Sequence, residues 1–146
     1  MNQNVKGTLR QFVSVSKIDG LKGIQDNKSA ANIDVLWVKG NTVEAAFEVE
    51  STTGFTEALR RGGALEKQTP KYMLIRRDEE NLFQAKMKSP VFKNSFKQYN
   101  WKRIFFEDLS EAYKKGKKTV DLITLSNKRK SPPKKSTPKP DDPMLL

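Results

Sequence analysis

The chain has 146 residues, enough for one domain with its own core and a tail. It carries 28 Lys and Arg against 17 Asp and Glu, a formal net charge of +11 and a pI of about 9.9, with 36% apolar residues. It has no Cys and no His, which excludes disulfides, Cys- or His-ligated zinc, Ser-His-Asp hydrolases and His-dependent metal nucleases. Any catalysis must run on carboxylates, Lys, Arg, Tyr, hydroxyls and metal. The positive field attracts polyanions, and nucleic acid is the first candidate partner. The alternative is a solvated basic surface with no specific partner. No apolar run approaches the ~20 residues needed to span a bilayer, and the N-terminus lacks the apolar stretch of a signal peptide. An intracellular, cytoplasmic protein with no membrane contact is expected.

Residues 1–30 are polar and poorly patterned. Leu9, Phe12, Val13 and Val15 suit one short element, strand or helix. Gly20, Gly23 and Asp26-Asn27-Lys28-Ser29 read as loop. A domain is expected over 31–125. It opens with two runs rich in β-branched and aromatic residues, Ile33–Val38 and Val43–Glu50, separated by the turn residues Lys39-Gly40-Asn41-Thr42. They predict an antiparallel hairpin. Strict alternation puts Glu44, Ala46, Glu48 and Glu50 on one face, and Val43, Ala45, Phe47 and Val49 on an apolar face directed at the core. Trp37 and Trp101 are expected in the core, and Glu44 in solvent.

A helix follows, with Thr53 as N-cap, Glu57 in its early turns, Phe55, Ala58 and Leu59 on its apolar side, and Gly62-Gly63 at its end. Lys71–Arg76 reads as a strand. Asp78 is expected to cap a helix over Glu79–Lys88, with Leu82, Phe83 and Met87 inward and Pro90 as its stop. Val91, Phe92 and Phe96 then fall in a basic loop. Trp101–Phe106 is a last strand, and Glu107-Asp108 begin a short helix through Tyr113. Val120–Leu125 is apolar and its state stays open. The order of elements is an α/β or α+β arrangement. From Ser126 the composition changes to Lys-, Arg- and Pro-rich sequence that cannot build a packed core, so 126–146 is expected to be a disordered basic tail. Its six Lys and Arg and two Asp account for +4 of the charge, which leaves +7 on residues 1–125. The basic run suits a nuclear address or a nonspecific grip on DNA.

An Asp on one strand and a Glu-x-Glu on its hairpin partner bring three carboxylates toward one end of a sheet. Hard divalent cations such as Mg²⁺ take such oxygen ligands, usually one or two carboxylates plus substrate phosphate. Asp34, thirteen intervening residues and then Glu48-Val49-Glu50 resembles the catalytic hairpin of the PD-(D/E)xK nuclease superfamily, the restriction-endonuclease-like proteins. Most members have Lys where this chain has Glu50, and the sequence is similar to the minority Glu-x-Glu variant. The stretch Ala-Phe-Glu-Val-Glu-Ser-Thr-Thr-Gly-Phe-Thr-Glu-Ala-Leu-Arg-Arg also looks like a motif of bacterial restriction-endonuclease-like proteins, with Thr52 and Thr53 as its hydroxyls and Arg61 as its Arg. The resemblance covers residues 31–113.

That resemblance implies a mixed sheet flanked by helices and a metal-dependent DNA endonuclease that hydrolyses phosphodiester bonds. Asp34 and Glu48 would hold Mg²⁺ or Mn²⁺, with the Val49 carbonyl as a further ligand. Glu50 would orient or deprotonate the attacking water. Thr52 and Thr53 would cap the helix or touch phosphate, and Arg60 and Arg61 would clamp phosphate. The superfamily core usually opens with a helix that often carries an acid. Residues 1–30 offer only Asp19 and Asp26, both in loop-like sequence. Either that helix is missing, or another chain supplies it, or the sequence is a fragment; a homodimer or a partner subunit stays open. The competing readings are a catalytically inactive nucleic-acid-binding module of the same fold, an accessory subunit of a larger DNA-processing protein, and a protein-interaction subunit whose charge serves only solubility.

Overall fold

The computed structural model describes residues 17–49, 54–116 and 121–129. The expected element at Leu9–Val15 and most of the basic tail lie outside them. A four-stranded mixed sheet forms the centre, in the order β1 (Val35–Lys39), β2 (Thr42–Val49), β3 (Lys71–Ile75), β4 (Trp101–Phe105). β1 and β2 pair antiparallel, and β2, β3 and β4 run parallel. The helices are α1 (Asn27–Ala30), α2 (Phe55–Gly62), α3 (Glu80–Met87), α4 (Pro90–Gln98), α5 (Phe106–Lys114) and α6 (Leu122–Ser126). This is the mixed α/β sheet flanked by helices that the sequence led us to expect. The first helix among the described residues is the single turn α1.

Both faces of the sheet are covered, which changes the expected role of β2. In the parallel part, the rows Ala46–Lys71–Trp101 and Glu48–Met73–Arg103 lie side by side. Phe55 and Ala58 of α2, Phe83 of α3, and Phe92 and Phe96 of α4 pack with Met73, Ile75, Trp101 and Phe105. On the other face, Ala45, Tyr72, Leu74 and Ile104 meet Leu125 of α6, with Leu109 of α5 alongside. The single apolar face predicted for β2 is therefore corrected. Ala46 and Glu48 are buried at 1% and 0% exposure, while Val49 is 55% exposed. Strict alternation also fails, because Trp37 pairs with Ala45 but Val38 pairs with Val43, leaving Glu44 as an extra residue on β2. That bulge moves Val43 to the side of Ala46, where it packs with Leu36, Val38, Ala64 and Leu65. Glu44 is in solvent, as expected. Trp101 is core, but Trp37 is not: it lies on edge strand β1, 58% exposed, against Phe47.

Local signals account for several further corrections. Asp26 is not loop but the N-cap of α1, accepting from the amides of Lys28 and Ser29. The cap position of α2 is Gly54 rather than Thr53, which lies outside the described residues. Asp78 does not cap a helix; it sits in a 3₁₀ turn, Arg77–Glu79, where the Glu79 carboxylate accepts from the Arg76 amide. Leu82, expected inward, is 53% exposed. Pro90 starts a helix instead of only stopping one, since a first-turn Pro has no amide to lose. In α4 the i, i+4 pair Phe92 and Phe96 then stacks inward against Phe83 and Trp101. The undecided Val120–Leu125 stretch contains most of α6, capped by Asp121.

Gly62 ends α2 against the Trp101 ring. A Cβ there would stand 2.8 Å from Trp101 Cε2 and closer still to Cζ2. We expect Gly62→Ala to destabilise the domain by ~1–3 kcal/mol through overpacking, despite the better helix propensity of Ala. A urea midpoint equal to or above that of the wild type would refute this tight packing.

Candidate functional site

Because β2, β3 and β4 are parallel and β1 is antiparallel to β2, one edge of the sheet collects the ends of β2, β3 and β4 and the start of β1. Open α/β sheets bind ligands at this carboxyl edge. Asp34 stands just before β1, and Glu48 is the next-to-last residue of β2. Val35 pairs with Phe47, so the same register continued by one residue sets Asp34 opposite Glu48. The Asp34 carboxylate accepts a hydrogen bond from the Val49 amide at 2.8 Å, which ties it to the partner strand. Asp34 is exposed, and Glu48 is fully buried beneath α2. The two acids thus lie near the same edge of the sheet, one in solvent and one enclosed. Glu50, Thr52 and Thr53 lie outside the described residues.

The two arginines of α2 go different ways. Arg60 lies on the surface in an ion pair with Glu57 at 2.6 Å, both side chains more than half exposed. Its hydrogen bonds hold the Glu57 carboxyl below its ordinary range. Arg61 turns inward, with its side chain 16% exposed. Its Nε lies 3.3 Å from Glu48 Oε1, and its Nη1 donates to the Asn32 carbonyl at 2.8 Å. Arg61 thus joins the buried acid of β2 to the segment leading into Asp34.

The sequence did not point to a second ionic group on the same edge. After β3, Arg77 pairs with the buried Asp108 of α5, and its amide donates to Glu107. On β4, Arg103 is paired with Glu80 of α3 at 3.5 Å, lies over the Phe105 ring, and donates to the Lys128 carbonyl at 3.0 Å. Burial lowers the Arg103 pKa, opposed by Glu80 and Asp108. These contacts tie α3, α5 and the chain after α6 to the strand ends. The signal in the sequence was only a set of charges at strand and helix ends, which normally reads as surface. A hollow of about 240 Å³ lined by Phe106, Glu107, Ser110, Glu111 and Lys114 lies along α5 and shares no residue with the acidic hairpin.

Carboxylates such as those of Asp34 and Glu48 belong to the hard-oxygen donor set of Mg²⁺ or Mn²⁺, which takes its remaining ligands from water and phosphate. Among the described residues no three acidic side chains converge on one point. Among them, too, no helix is long and apolar enough to cross a membrane. No curated protein and no solved structure matches the chain. The family profile described as the type II restriction enzyme NmeDI C-terminal domain matches residues 2–128, most of the sequence and all of the sheet. Over so much of the chain, and with the mixed α/β fold, this match means that the chain belongs to the family of type II restriction enzyme NmeDI C-terminal domains.

Proposed function

We propose that the chain is a metal-dependent DNA-cleaving domain of the PD-(D/E)xK type, in the Glu-x-Glu variant. The observation that carries this reading is that Asp34, bonded to the Val49 amide, lies at the carboxyl edge of the sheet near the end of β2 that bears Glu48, in a domain of a restriction-enzyme family. Asp34 and Glu48 would hold Mg²⁺ or Mn²⁺. When bound, the ion supplies positive charge against the phosphorane-like transition state and acidifies its water. What supports this is the Val49 amide's hydrogen bond to Asp34 and the Arg61 side chain of α2 beside Glu48. Glu50, two residues beyond Glu48, takes the part of orienting and deprotonating the attacking water. Thr52, Thr53 and Arg60 are the proposed phosphate contacts beside it, and the net positive field draws the DNA in. The test is nicking of supercoiled plasmid in Mg²⁺ or Mn²⁺, with EDTA as the blank. A folded protein that leaves the plasmid intact in both metals would refute it.

A second reading is supported by the complete burial of Glu48 and its pairing with Arg61. In that reading the domain binds DNA without cleaving it. Both readings expect electrostatic binding, since residues 1–125 alone carry +7. Affinity for a duplex in EDTA should fall at least about tenfold between 50 and 200 mM salt. Salt-insensitive or absent binding, measured by fluorescence anisotropy, would instead indicate a protein-interaction subunit.

A further inference from the structure

We propose that Arg61 is the resident counter-charge of Glu48, in competition with a divalent cation for that carboxylate, and that it is not a phosphate contact. This rests on the nuclease reading and concerns regulation of the same site. Glu48 is 0% exposed, and a carboxylate buried that deeply requires a positive partner when no metal ion is bound. Arg61 is placed to be that partner. It comes from the last turn of α2, its Nε is 3.3 Å from Glu48 Oε1, and only 16% of its side chain reaches solvent. The guanidinium is also anchored from a second side by the Asn32 carbonyl, two residues before Asp34. It therefore links the end of β2 to the segment leading into Asp34. Its sequence neighbour shows the contrast: Arg60 is 60% exposed and faces outward with Glu57. Of the two, Arg60 is the one DNA can reach.

Two cations on one carboxylate repel each other, so metal entry at Glu48 works against the Arg61 charge. Arg61 is thus a positioning residue with a gating consequence: it holds the Glu48 carboxylate in place, and it sets how tightly metal binds. Arg61→Gln keeps a hydrogen-bonding side chain and removes the charge.

The experiment measures Mn²⁺ affinity by electron paramagnetic resonance of free Mn²⁺, and duplex affinity in EDTA by anisotropy. Wild type, Arg61→Gln and Arg61→Lys are compared, with circular dichroism to check folding. We expect Arg61→Gln to bind Mn²⁺ about tenfold more tightly, with DNA affinity unchanged. Arg61→Lys keeps the charge and should leave both affinities within about twofold of wild type. If Arg61→Gln proves unfolded, Arg61→Lys still decides, because a bidentate phosphate contact would lose DNA affinity several-fold on that change. Loss of DNA affinity in either variant with Mn²⁺ binding unchanged overturns the proposal and makes Arg61 a phosphate clamp. Weaker Mn²⁺ binding in Arg61→Gln overturns it in favour of simple structural support. Wild type and Arg61→Gln both failing to bind Mn²⁺ would overturn the nuclease reading itself, and the proposal with it.

Discussion

Asp34→Asn should abolish plasmid cleavage while leaving the fold intact. The side chain is exposed, and its one described hydrogen bond accepts from the Val49 amide at 2.8 Å. An Asn carbonyl can accept the same bond, so stability should change by no more than about 0.5 kcal/mol. What is lost is the negative charge that would hold a divalent ion. Mutating an outer-shell partner of a metal ligand typically costs 10–100-fold in activity or affinity, and removing the ligand itself should cost roughly 100-fold or more. Glu48→Gln should be as damaging to cleavage but less clean. It removes a charge that lies 3.3 Å from the Arg61 guanidinium in a nearly closed position, so a drop in thermal midpoint is expected alongside. Thermal melts separate the two effects. Undiminished nicking by well-folded Asp34→Asn would remove the acidic hairpin from the mechanism, whatever Glu48→Gln did.

The largest stability effect is expected at Lys71, the first residue of β3. It is 0% exposed and has no carboxylate within salt-bridge range among the described residues. Its Nζ instead donates to the carbonyls of Tyr99 at 2.7 Å, Glu66 at 2.9 Å and Thr69 at 3.0 Å, with that of Lys67 at 3.5 Å. One ammonium thus joins the loop entering β3 to the turn entering β4. Lys71→Met fills a similar volume but removes the donor from all of these carbonyls. We expect a loss of about 3 kcal/mol, or roughly 10 °C in midpoint for a domain of this size. Burial also pulls the Lys71 pKa down from 10.5 to about 8. Between about pH 8 and 10.5 the unfolded chain keeps a proton here that the folded chain releases. Wild-type stability therefore gains from this residue as pH rises through that window, and has none of the gain below it. Lys71→Met should lack the gain, so the gap between the two proteins should widen from pH 8 to 10. Urea melts at both pH values check this. A constant gap would mean that the carbonyls hold the ammonium charged throughout.

The Lys71 case also shows where reading residues one by one stops. In the sequence Lys71 is a charge at a strand start, which ordinarily reads as exposed. Only the parallel pairing of β3 with β2 and β4 closes the sheet over it, in the row Ala46–Lys71–Trp101. The same pairing buries Glu48. A hairpin taken alone has one core face and one wet face; inside a parallel sheet covered by helices on both sides it has none, except at its edge. That is why the predicted apolar face of β2 was incomplete, and why Trp37, on the edge strand, came out in solvent.

What the amino-acid sequence determined by itself were the features set by local chemistry. Turn residues and β-branched runs placed the hairpin, Gly62-Gly63 ended α2, and the apolar run at Tyr72–Ile75 made most of β3. Turn and spacing together carried Asp34 and Glu48 to the same end of one hairpin, but the register there was not legible: counted from the turn, Asp34 would face Phe47, and the bulge at Glu44 shifts the pairing by one residue. The tertiary structure alone decided which charges would be enclosed and by whom. Arg61 meets Glu48 across thirteen positions of sequence, and Arg77 meets Asp108 across thirty-one, because helix packing and parallel strand order set those distances. Long-range pairing of this kind depends on how whole faces are buried, and no local pattern in the chain encodes it.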